Sequence, residues 1–171
     1  MPDLQRLHPD HVPALLAFEQ ENRTFFAASV PDRGDDYFTN FDARLAALLA
    51  EQAAGICHFH VLVDDQGVIL GRFNLVDAAN GSAELGYRVA EKATGRGLAT
   101  ATVRRLCTLA AEEYGLTTLR AATTHDNPAS QTVLTRAGFV PTGEELLLSG
   151  RPGLGYARST ADQVSFDDGT A

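Results

Sequence analysis

The chain has 171 residues, 44% of them hydrophobic, and a formal net charge of −8 at pH 7, which predicts a single globular domain spanning residues 1–171. The acidic balance argues against nucleic acid and anionic membranes as partners. No apolar run approaches the roughly 20 residues that span a bilayer, and the N-terminus lacks the pattern of a signal peptide, so we expect a cytoplasmic protein. The two cysteines, Cys57 and Cys107, have no metal-ligand spacing and fit buried free thiols.

The N-terminal third of the chain reads as helical. Apolar spacing and prolines confined to the first turns predict a helix over residues 7–19. Residues 22–37 contain Pro31, Gly34 and three aspartates, so we expect a long loop there. A second helix is predicted over residues 37–54.

Three antiparallel strands are predicted next, over residues 56–63, 68–76 and 82–89, joined by two tight turns. His58 and His60 lie two residues apart on the first of these strands and therefore share one face of it. Two histidines on one strand face could ligate a metal, but no third ligand is close in sequence, so partly exposed strand histidines are favoured and no metal is expected.

The segment from Lys92 to Thr100 turns from a strand through two glycines into a helix that runs to about Tyr114. The first N–H groups of a helix lack internal partners and carry partial positive charge, so such a segment can bind an anion. Gly95 and Gly97 would let the backbone approach a phosphate. A Walker loop is excluded because the lysine precedes both glycines, and a dinucleotide fingerprint is excluded because Thr100 occupies the third glycine position.

Positive charge is concentrated around this loop. Five of the 14 basic residues fall between Arg88 and Arg105, with Glu91 as the one acidic residue among them. This distribution suits a small polyanion, although a solvated helix face would also explain part of it. The acidic remainder of the chain could steer a cationic acceptor toward the site.

The C-terminal third begins with a strand predicted over residues 116–123, which we expect to lie parallel to residues 82–89. A short helix should follow, with Asn127 as its N-cap, Pro128 at its first position and Gly138 just past its end. A strand over 139–148 and a short final strand near Tyr156 complete the pattern. Residues from about 161 onward are polar and are expected to form a frayed tail.

Two motifs together resemble one known family. The pattern Lys92-x-x-Gly95-x-Gly97-x-Ala99 resembles the pyrophosphate loop of the GNAT superfamily of N-acetyltransferases, with lysine where the family usually has arginine or glutamine. Asn127-x-x-Ser130, followed by Val-Leu-x-Arg-x-Gly-Phe, is similar to the corresponding helix of the RimJ/RimL-like branch. The resemblance covers about residues 56–156. It implies an α/β (α+β) fold with a GNAT-type mixed, mostly antiparallel sheet flanked by helices, and a central parallel strand pair splayed to hold acetyl-CoA.

The resemblance also implies the residues that bind acetyl-CoA, the expected co-substrate. Backbone N–H groups of the glycine loop would hold the pyrophosphate, the strand before the loop would pair with the pantetheine arm, and basic side chains would meet the ribose phosphate. The Asn127 side chain would bind the pantetheine arm, although its role as an N-cap needs the same atoms. The implied cofactor-binding residues are Tyr87, Arg88, Val89, Lys92, Thr94, Gly95, Arg96, Gly97, Leu98, Ala99, Thr100, Asn127 and Ser130.

Two residues are expected to be catalytic. Glu84 is the candidate general base, since the family commonly has a glutamate on this strand and a partly buried carboxylate would have a raised pKa. A weak base or a water chain would also suffice for an α-amine, whose pKa is roughly 7.7–8.0. Ser130 is the candidate proton donor to the departing thiolate, because the tyrosine that many GNAT enzymes use after the asparagine turn is missing here. Glu144 and Glu145 are fallback bases, and a pairing of Glu84 with Arg72 or Arg120 across the sheet is the structural alternative.

Direct attack of the amine in a ternary complex is expected, with the Val89 N–H available to the oxyanion. The acceptor implied is a primary amine, of a protein N-terminus or of a small molecule, and a homodimer is compatible with the sequence. The alternatives are an antibiotic or polyamine acetyltransferase, a non-catalytic coenzyme A sensor and a nucleotide-phosphate protein. Four aromatic residues could wall the acceptor pocket or simply pack in the core: Phe25, Phe26, Tyr37 and Phe38.

Overall fold

The structure is a computed structural model that describes residues 2–161. The frayed tail expected beyond Ala161 lies outside the described residues. The strands are β1 Asp3–Arg6, β2 His58–Val63, β3 Ile69–Ala79, β4 Ser82–Val89, β5 Thr118–Thr124, β6 Val140–Leu148 and β7 Arg151–Ser159. The helices are α1 Val12–Glu21, α2 Arg23–Ala27, α3 Asp35–Thr39, α4 Phe41–Ala53, α5 Leu98–Glu112 and α6 Pro128–Arg136.

The described strands form one seven-stranded sheet in the order β1-β2-β3-β4-β5-β7-β6. The neighbouring pairs are antiparallel except β4 and β5, which are parallel and are connected through α5. This confirms the predicted mixed, mostly antiparallel sheet with a central parallel pair. The last strand, β7, inserts between β5 and β6, so the C-terminal hairpin lies directly beside the parallel pair.

Helices cover both faces of the sheet. Tyr114, just after α5, hydrogen-bonds His60 of β2, whose neighbour on β3 is Phe73, so these side chains define the α5 face. On the opposite face Arg72 of β3 binds Glu19 of α1, and we name it the α1 face. Because strand side chains alternate, consecutive residues of β4 also point to opposite faces.

The apolar core lies on both sides of the sheet. Its most completely buried large side chains come from the central strands and from the helices packed on them: Leu15, Leu45, Phe73, Leu75, Val103, Leu106, Leu119, Leu134 and Phe139. In α5 the buried residues recur every three or four positions, as expected for a helix with one apolar side.

The N-terminal region differs from the sequence prediction. Residues 3–6 form β1, and the first α-helix begins at Val12 rather than Leu7. A four-residue strand is too short to show a periodicity, and β1 is held by pairing with β2. The loop expected over 22–37 contains α2 and the start of α3, both five-residue helices too short to be read from apolar spacing. The final strand, expected to be short, has nine residues.

His58 and His60 are buried, not partly exposed as predicted. The His58 ring stacks on Tyr114 with centroids 3.8 Å apart, and His60 Nε2 lies 2.6 Å from the Tyr114 hydroxyl. Burial lowers the pKa of His60 to about 4, so this histidine is neutral at physiological pH. Within residues 2–161, no helix is both long and apolar enough to cross a membrane.

Candidate active site

The two parallel strands separate partway along their length. β4 pairs with β5 only from Ser82 to Glu84. Beyond Glu84, β4 continues along β3 as far as Val89, while β5 continues along β7 as far as Thr124. A gap therefore opens through the sheet between residues 85–89 and 121–124.

A first cavity of about 380 Å³, which we name the loop cavity, lies where the glycine turn enters α5. Gly97 is the N-cap of α5, and both Gly95 and Gly97 have positive φ, 75° and 72°. A Cβ placed on either glycine would meet no atom within 4 Å, so the space in front of the turn is open. An L-residue at these positions would be strained, which explains why glycine is needed here. Open backbone at a helix N-terminus fits a pyrophosphate.

Ten of the predicted cofactor-binding residues line the loop cavity: Tyr87, Val89, Thr94, Gly95, Gly97, Leu98, Ala99, Thr100, Asn127 and Ser130. Arg136 of α6 also lines it and was missed by the sequence analysis.

Three predicted residues do not line this cavity. Arg88 points to the α1 face, because its neighbours Tyr87 and Val89 point to the α5 face. Lys92 and Arg96 are exposed beside the loop, and Arg96 Nη2 donates to the Lys92 carbonyl oxygen at 3.0 Å. The side chain of Arg88 therefore points away from the loop cavity, whereas its backbone lies on the part of β4 that does not pair with β5, so its pairing with the pantetheine arm stays a prediction.

A second cavity of about 470 Å³ runs through the gap between β4 and β5, and we name it the gap cavity. On the α5 face it reaches Asn127, Ser130 and Leu134 of the α6 region. On the α1 face it is bounded by residues 29–31 after α2 and by residues 148–151 at the β6–β7 turn. The two cavities share Tyr87, Asn127 and Ser130, so a ligand in one would meet a ligand in the other at these side chains.

The shared residues form a hydrogen-bonded group. The Tyr87 hydroxyl lies 3.0 Å from Ser130 Oγ, and the Ser130 N–H donates to Asn127 Oδ1 at 3.2 Å. Asn127 is thus the N-cap of α6, as predicted. The Tyr87 ring stacks on Phe73, with an interplanar angle of 12° and centroids 5.7 Å apart, which holds the hydroxyl in place.

Burial raises the pKa of Tyr87, although the hydrogen bond with Ser130 acts in the opposite direction. The phenol therefore keeps its proton at neutral pH and remains a hydrogen-bond donor. The family resemblance implied only a backbone role for Tyr87, because the tyrosine of many GNAT enzymes follows the asparagine turn and does not lie on β4. The structure brings a tyrosine hydroxyl to Ser130 from a position 43 residues away.

Glu84 is exposed, so the partial burial expected of the candidate base is wrong. It lies on the α1 face, two residues before Gly86, which lines the gap cavity. The two arginines considered as alternative partners of Glu84 bind other residues. Arg72 binds Glu19, and Arg120 Nε donates to Ser82 Oγ. The fallback bases Glu144 and Glu145 are exposed on β6 and line neither cavity.

The four aromatic residues considered for the acceptor pocket do not line the gap cavity. Phe26 and Tyr37 are buried in the core, which was the alternative to a role in the acceptor pocket. The wall beside the gap is formed by Ala27 and residues 29–31 instead. Within residues 2–161, no group of three or more histidine, cysteine, aspartate or glutamate side chains is placed to hold a metal ion.

One buried carboxylate was missed entirely. Glu19 is 1% exposed and lies within 3.6 Å of the guanidinium groups of Arg33, Arg72 and Arg88. Arg72 also donates to the Tyr37 hydroxyl at 3.1 Å. No sequence signal marks this group, because its members are separated by up to 69 positions.

A glycine turn at a helix N-terminus, beside a splayed parallel strand pair, is the arrangement that the resemblance to acetyl-CoA-binding proteins implied. Comparison with known families agrees: residues 3–140 match the acetyltransferase (GNAT) domain. The chain belongs to this family of acetyltransferases, whose co-substrate is acetyl-CoA.

Individual relatives are more distant. The chain is 35% identical over 80 residues to YdaF of Bacillus subtilis (strain 168), a provisionally named ribosomal N-acetyltransferase. That match spans 46% of this chain and 44% of the relative, so it covers less than half of either protein.

Solved structures share the fold across most of the chain. The ribosomal-protein-S5-alanine acetyltransferase of Vibrio fischeri has a TM-score of 0.85 at 19% identity, covering 93% of both chains. Mycobacterium smegmatis RimJ, in complex with CoA-disulfide, has a TM-score of 0.81 at 23% identity, covering 91% of this chain and 80% of that one. The spermidine N-acetyltransferase of Vibrio cholerae, in complex with CoA and spermine, has a TM-score of 0.74 at 18% identity, covering 93% and 95%. At these identities the likeness establishes the fold alone.

Proposed function

We propose that this chain transfers an acetyl group from acetyl-CoA to a primary amine, with a protein or peptide N-terminal amine as the acceptor, by direct attack in a ternary complex. One observation carries the proposal. The loop cavity at the glycine turn and the gap cavity, which extends to the α1 face, meet at Tyr87, Asn127 and Ser130. Such an arrangement can hold a donor and an acceptor end to end without a covalent enzyme intermediate.

The loop cavity is the proposed cofactor site. Backbone N–H groups of residues 95–100 would hold the pyrophosphate, and the unpaired edge of β4 from Leu85 to Val89 would hydrogen-bond the pantetheine arm. Acetyl-CoA supplies an activated thioester in this position. The Val89 N–H would then stabilise the oxyanion of the tetrahedral state, and Arg136 adds positive charge at the outer end of the cavity.

Tyr87 and Ser130 are the proposed proton donors to the leaving thiolate. Their hydroxyls lie 3.0 Å apart where the cavities meet, so a proton given by one can be replaced by the other. Both groups are protonated at neutral pH, which is the state a donor needs. Asn127 positions Ser130 by accepting its backbone N–H.

The acceptor amine must lose a proton to attack. None of the described residues that line the gap cavity is a carboxylate or a histidine. We propose that Glu84 takes this proton through water. Its Cα lies two residues from that of Gly86 on the α1 face, a distance of about 7 Å. An α-amine, with a pKa near 7.7–8.0, needs only such weak assistance at neutral pH, whereas a lysine amine near 10.4 would need more.

The comparisons support an N-terminal acceptor without deciding it. Relatives with this fold acetylate the alanine of ribosomal protein S5 in one case and spermidine in another. The experiment is an acetylation panel of N-terminal peptides, peptides with a blocked N-terminus and an internal lysine, and spermidine, measured by release of free thiol. We expect turnover with free N-terminal amines. Turnover restricted to spermidine or to the blocked lysine peptides would refute the N-terminal assignment.

A further inference from the structure

A third cavity, of about 200 Å³, has no part in the reaction proposed above. It lies on the α1 face between β3, α3 and α4. Its lining contains three arginines, Arg33, Arg44 and Arg72, together with Tyr37 and Asn74. We name the set Arg33, Arg72 and Arg88, which surrounds Glu19, the arginine cluster.

The arginine cluster contains more positive charge than its partner neutralises. Arg72 Nη1 lies 2.7 Å from the Glu19 carboxylate, Arg33 Nε 3.2 Å and Arg88 Nη1 3.6 Å. The side chains of these arginines are 6%, 29% and 22% exposed, so water screens them poorly. Three guanidiniums against one carboxylate leave two positive charges in excess.

The neighbouring groups cancel only part of this excess. Burial is the main cause that lowers the pKa of Arg88, and the positive charge of Arg33 lowers this pKa further. Asp32 and Asp35, the nearby acidic residues, both bind Arg23, at 2.8 and 2.9 Å, so these three residues leave one negative charge. Arg44 adds a further cation, with its guanidinium 5.7 Å from the Tyr37 ring centroid.

The arginine cluster lies beside the acceptor's entry to the gap cavity. In the β3–β4 register Arg88 is opposite Arg72, and Gly86, which lines the gap cavity, is opposite Asn74, which lines the third cavity. A narrow cleft is lined by Arg33 and Arg88. Ala27 and Pro31 also line this cleft, and both belong to the wall of the gap cavity. Opposite residues of antiparallel strands have Cα atoms about 4.5–5.5 Å apart. One or two residues of an extended peptide, at about 3.3–3.6 Å each, would therefore span the distance from Gly86 to Asn74.

Asn74 supplies a second, independent feature. Its Oδ1 is buried and makes no hydrogen bond within the described part of the chain. The third cavity therefore offers an unpaired amide acceptor beside guanidinium donors. A ligand that carries both an N–H group and a carboxylate would satisfy both requirements.

We propose that the arginine cluster and Arg44 bind a carboxylate of the acceptor, so that this chain selects amines that carry an acidic group close by. The carboxylate could be the side chain of an acidic second or third residue in a peptide, or the carboxylate of a free amino acid. This proposal rests on the proposed function, because it concerns the acceptor of the same reaction. It reverses the expectation that the acidic chain attracts a cationic acceptor, since the surface beside the gap is locally positive and would disfavour polyamines.

The test compares matched acceptors at low salt. We expect kcat/KM for Ser-Glu-Ala-Ala amide to exceed that for Ser-Gln-Ala-Ala amide by about tenfold or more, as for a charge-assisted hydrogen bond, and the difference to shrink as salt is raised. Free glutamate and glutamine form a second pair and distinguish the amino-acid source from the peptide source. Equal values within both pairs would overturn the proposal.

Two variants and a control locate the effect. Arg44→Gln, at an exposed position, and Arg33→Gln, which leaves Arg72 bound to Glu19, should each lower the acidic-to-neutral ratio severalfold. Arg105→Gln makes the same change in net charge on the exposed side of α5 and should leave the ratio unchanged. An equal loss in all three variants would show a general charge effect and overturn the assignment. Melting temperatures identify any variant that fails to fold.

A binding measurement separates this proposal from the proposed function. N-acetyl-Ser-Glu amide and N-acetyl-Ser-Gln amide, which need no turnover, are titrated into the protein with CoA present. If no peptide is acetylated, the N-terminal acceptor proposal fails, and tighter binding of the glutamate peptide still upholds the carboxylate site. Equal binding, or no binding of either peptide, overturns the carboxylate site whatever the turnover.

Discussion

The hydrogen bond between Tyr87 and Ser130 leads to a quantitative prediction. If the two hydroxyls act in series on the leaving thiolate, Tyr87→Phe and Ser130→Ala each break the same relay. A hydrogen bond to a charged group contributes about 1.5–3 kcal/mol, so each variant should lower kcat by roughly 10- to 150-fold. The Tyr87 ring would keep its stacking on Phe73 in the phenylalanine variant.

The double variant tests whether the two hydroxyls act in series. For a shared relay, Tyr87→Phe with Ser130→Ala should be about as slow as the slower single variant, and the affinity for acetyl-CoA should change by less than about fivefold. Thiol release measures turnover and calorimetry measures binding. Tyr156→Phe removes another buried tyrosine hydroxyl, from a residue that lines neither cavity, and serves as the control. A double variant slowed by the product of the single effects would refute the shared relay.

Three further predictions follow from individual residues. Gly97→Trp should abolish thermal protection by acetyl-CoA, which for the parent protein is about 2.7 kcal/mol at a hundredfold excess over Kd, while Gly67→Trp, another open positive-φ glycine, should retain it; full protection in Gly97→Trp would place the pyrophosphate elsewhere. The pKa of His60 falls from 6.5 to about 4 on folding, so the unfolded chain binds more protons between these pH values. The free energy of unfolding should therefore decrease by about 3 kcal/mol as pH falls from 6.5 to 4. Denaturant titrations should show that this free energy depends less steeply on pH in His60→Gln. Glu84→Gln should slow acetylation of an α-amine several-fold at pH 6.5 but much less at pH 9, where the amine is already neutral; a pH-independent effect would exclude Glu84 as proton acceptor.

The glycine turn could be predicted from sequence because its conformation is a local requirement. Gly95 and Gly97 adopt positive φ, and the N-cap role of Asn127 depends on its immediate neighbours. The antiparallel strands β2 to β4 were also predicted, although β3 extends to Ala79 and shortens the second turn. Membership of the GNAT family, suggested by two motifs, is confirmed by the family match over residues 3–140.

The rest of the site depends on packing between distant elements. The Tyr87–Ser130 contact exists because α6 lies over the splayed end of β4, and no local pattern in either segment indicates it. The partners of Glu19 come from a loop and two strands, so an ordinary-looking helical glutamate becomes a buried charge only in the fold. For Glu84 the error is the reverse, since a residue expected to be partly buried is exposed to solvent. Its position on β4 was correct.

The position of β7 affects when the protein can become active during its synthesis. This strand is the last of the seven to be made, yet it lies inside the sheet and pairs with β5 along seven residues. Until it emerges from the ribosome, β5 has an open edge, and the β6–β7 turn that bounds the gap cavity on the α1 face is not yet formed. A nascent chain that ends before residue 151 would therefore already contain the glycine turn, but one edge of its central strand β5 would be open and the acceptor site would be incomplete.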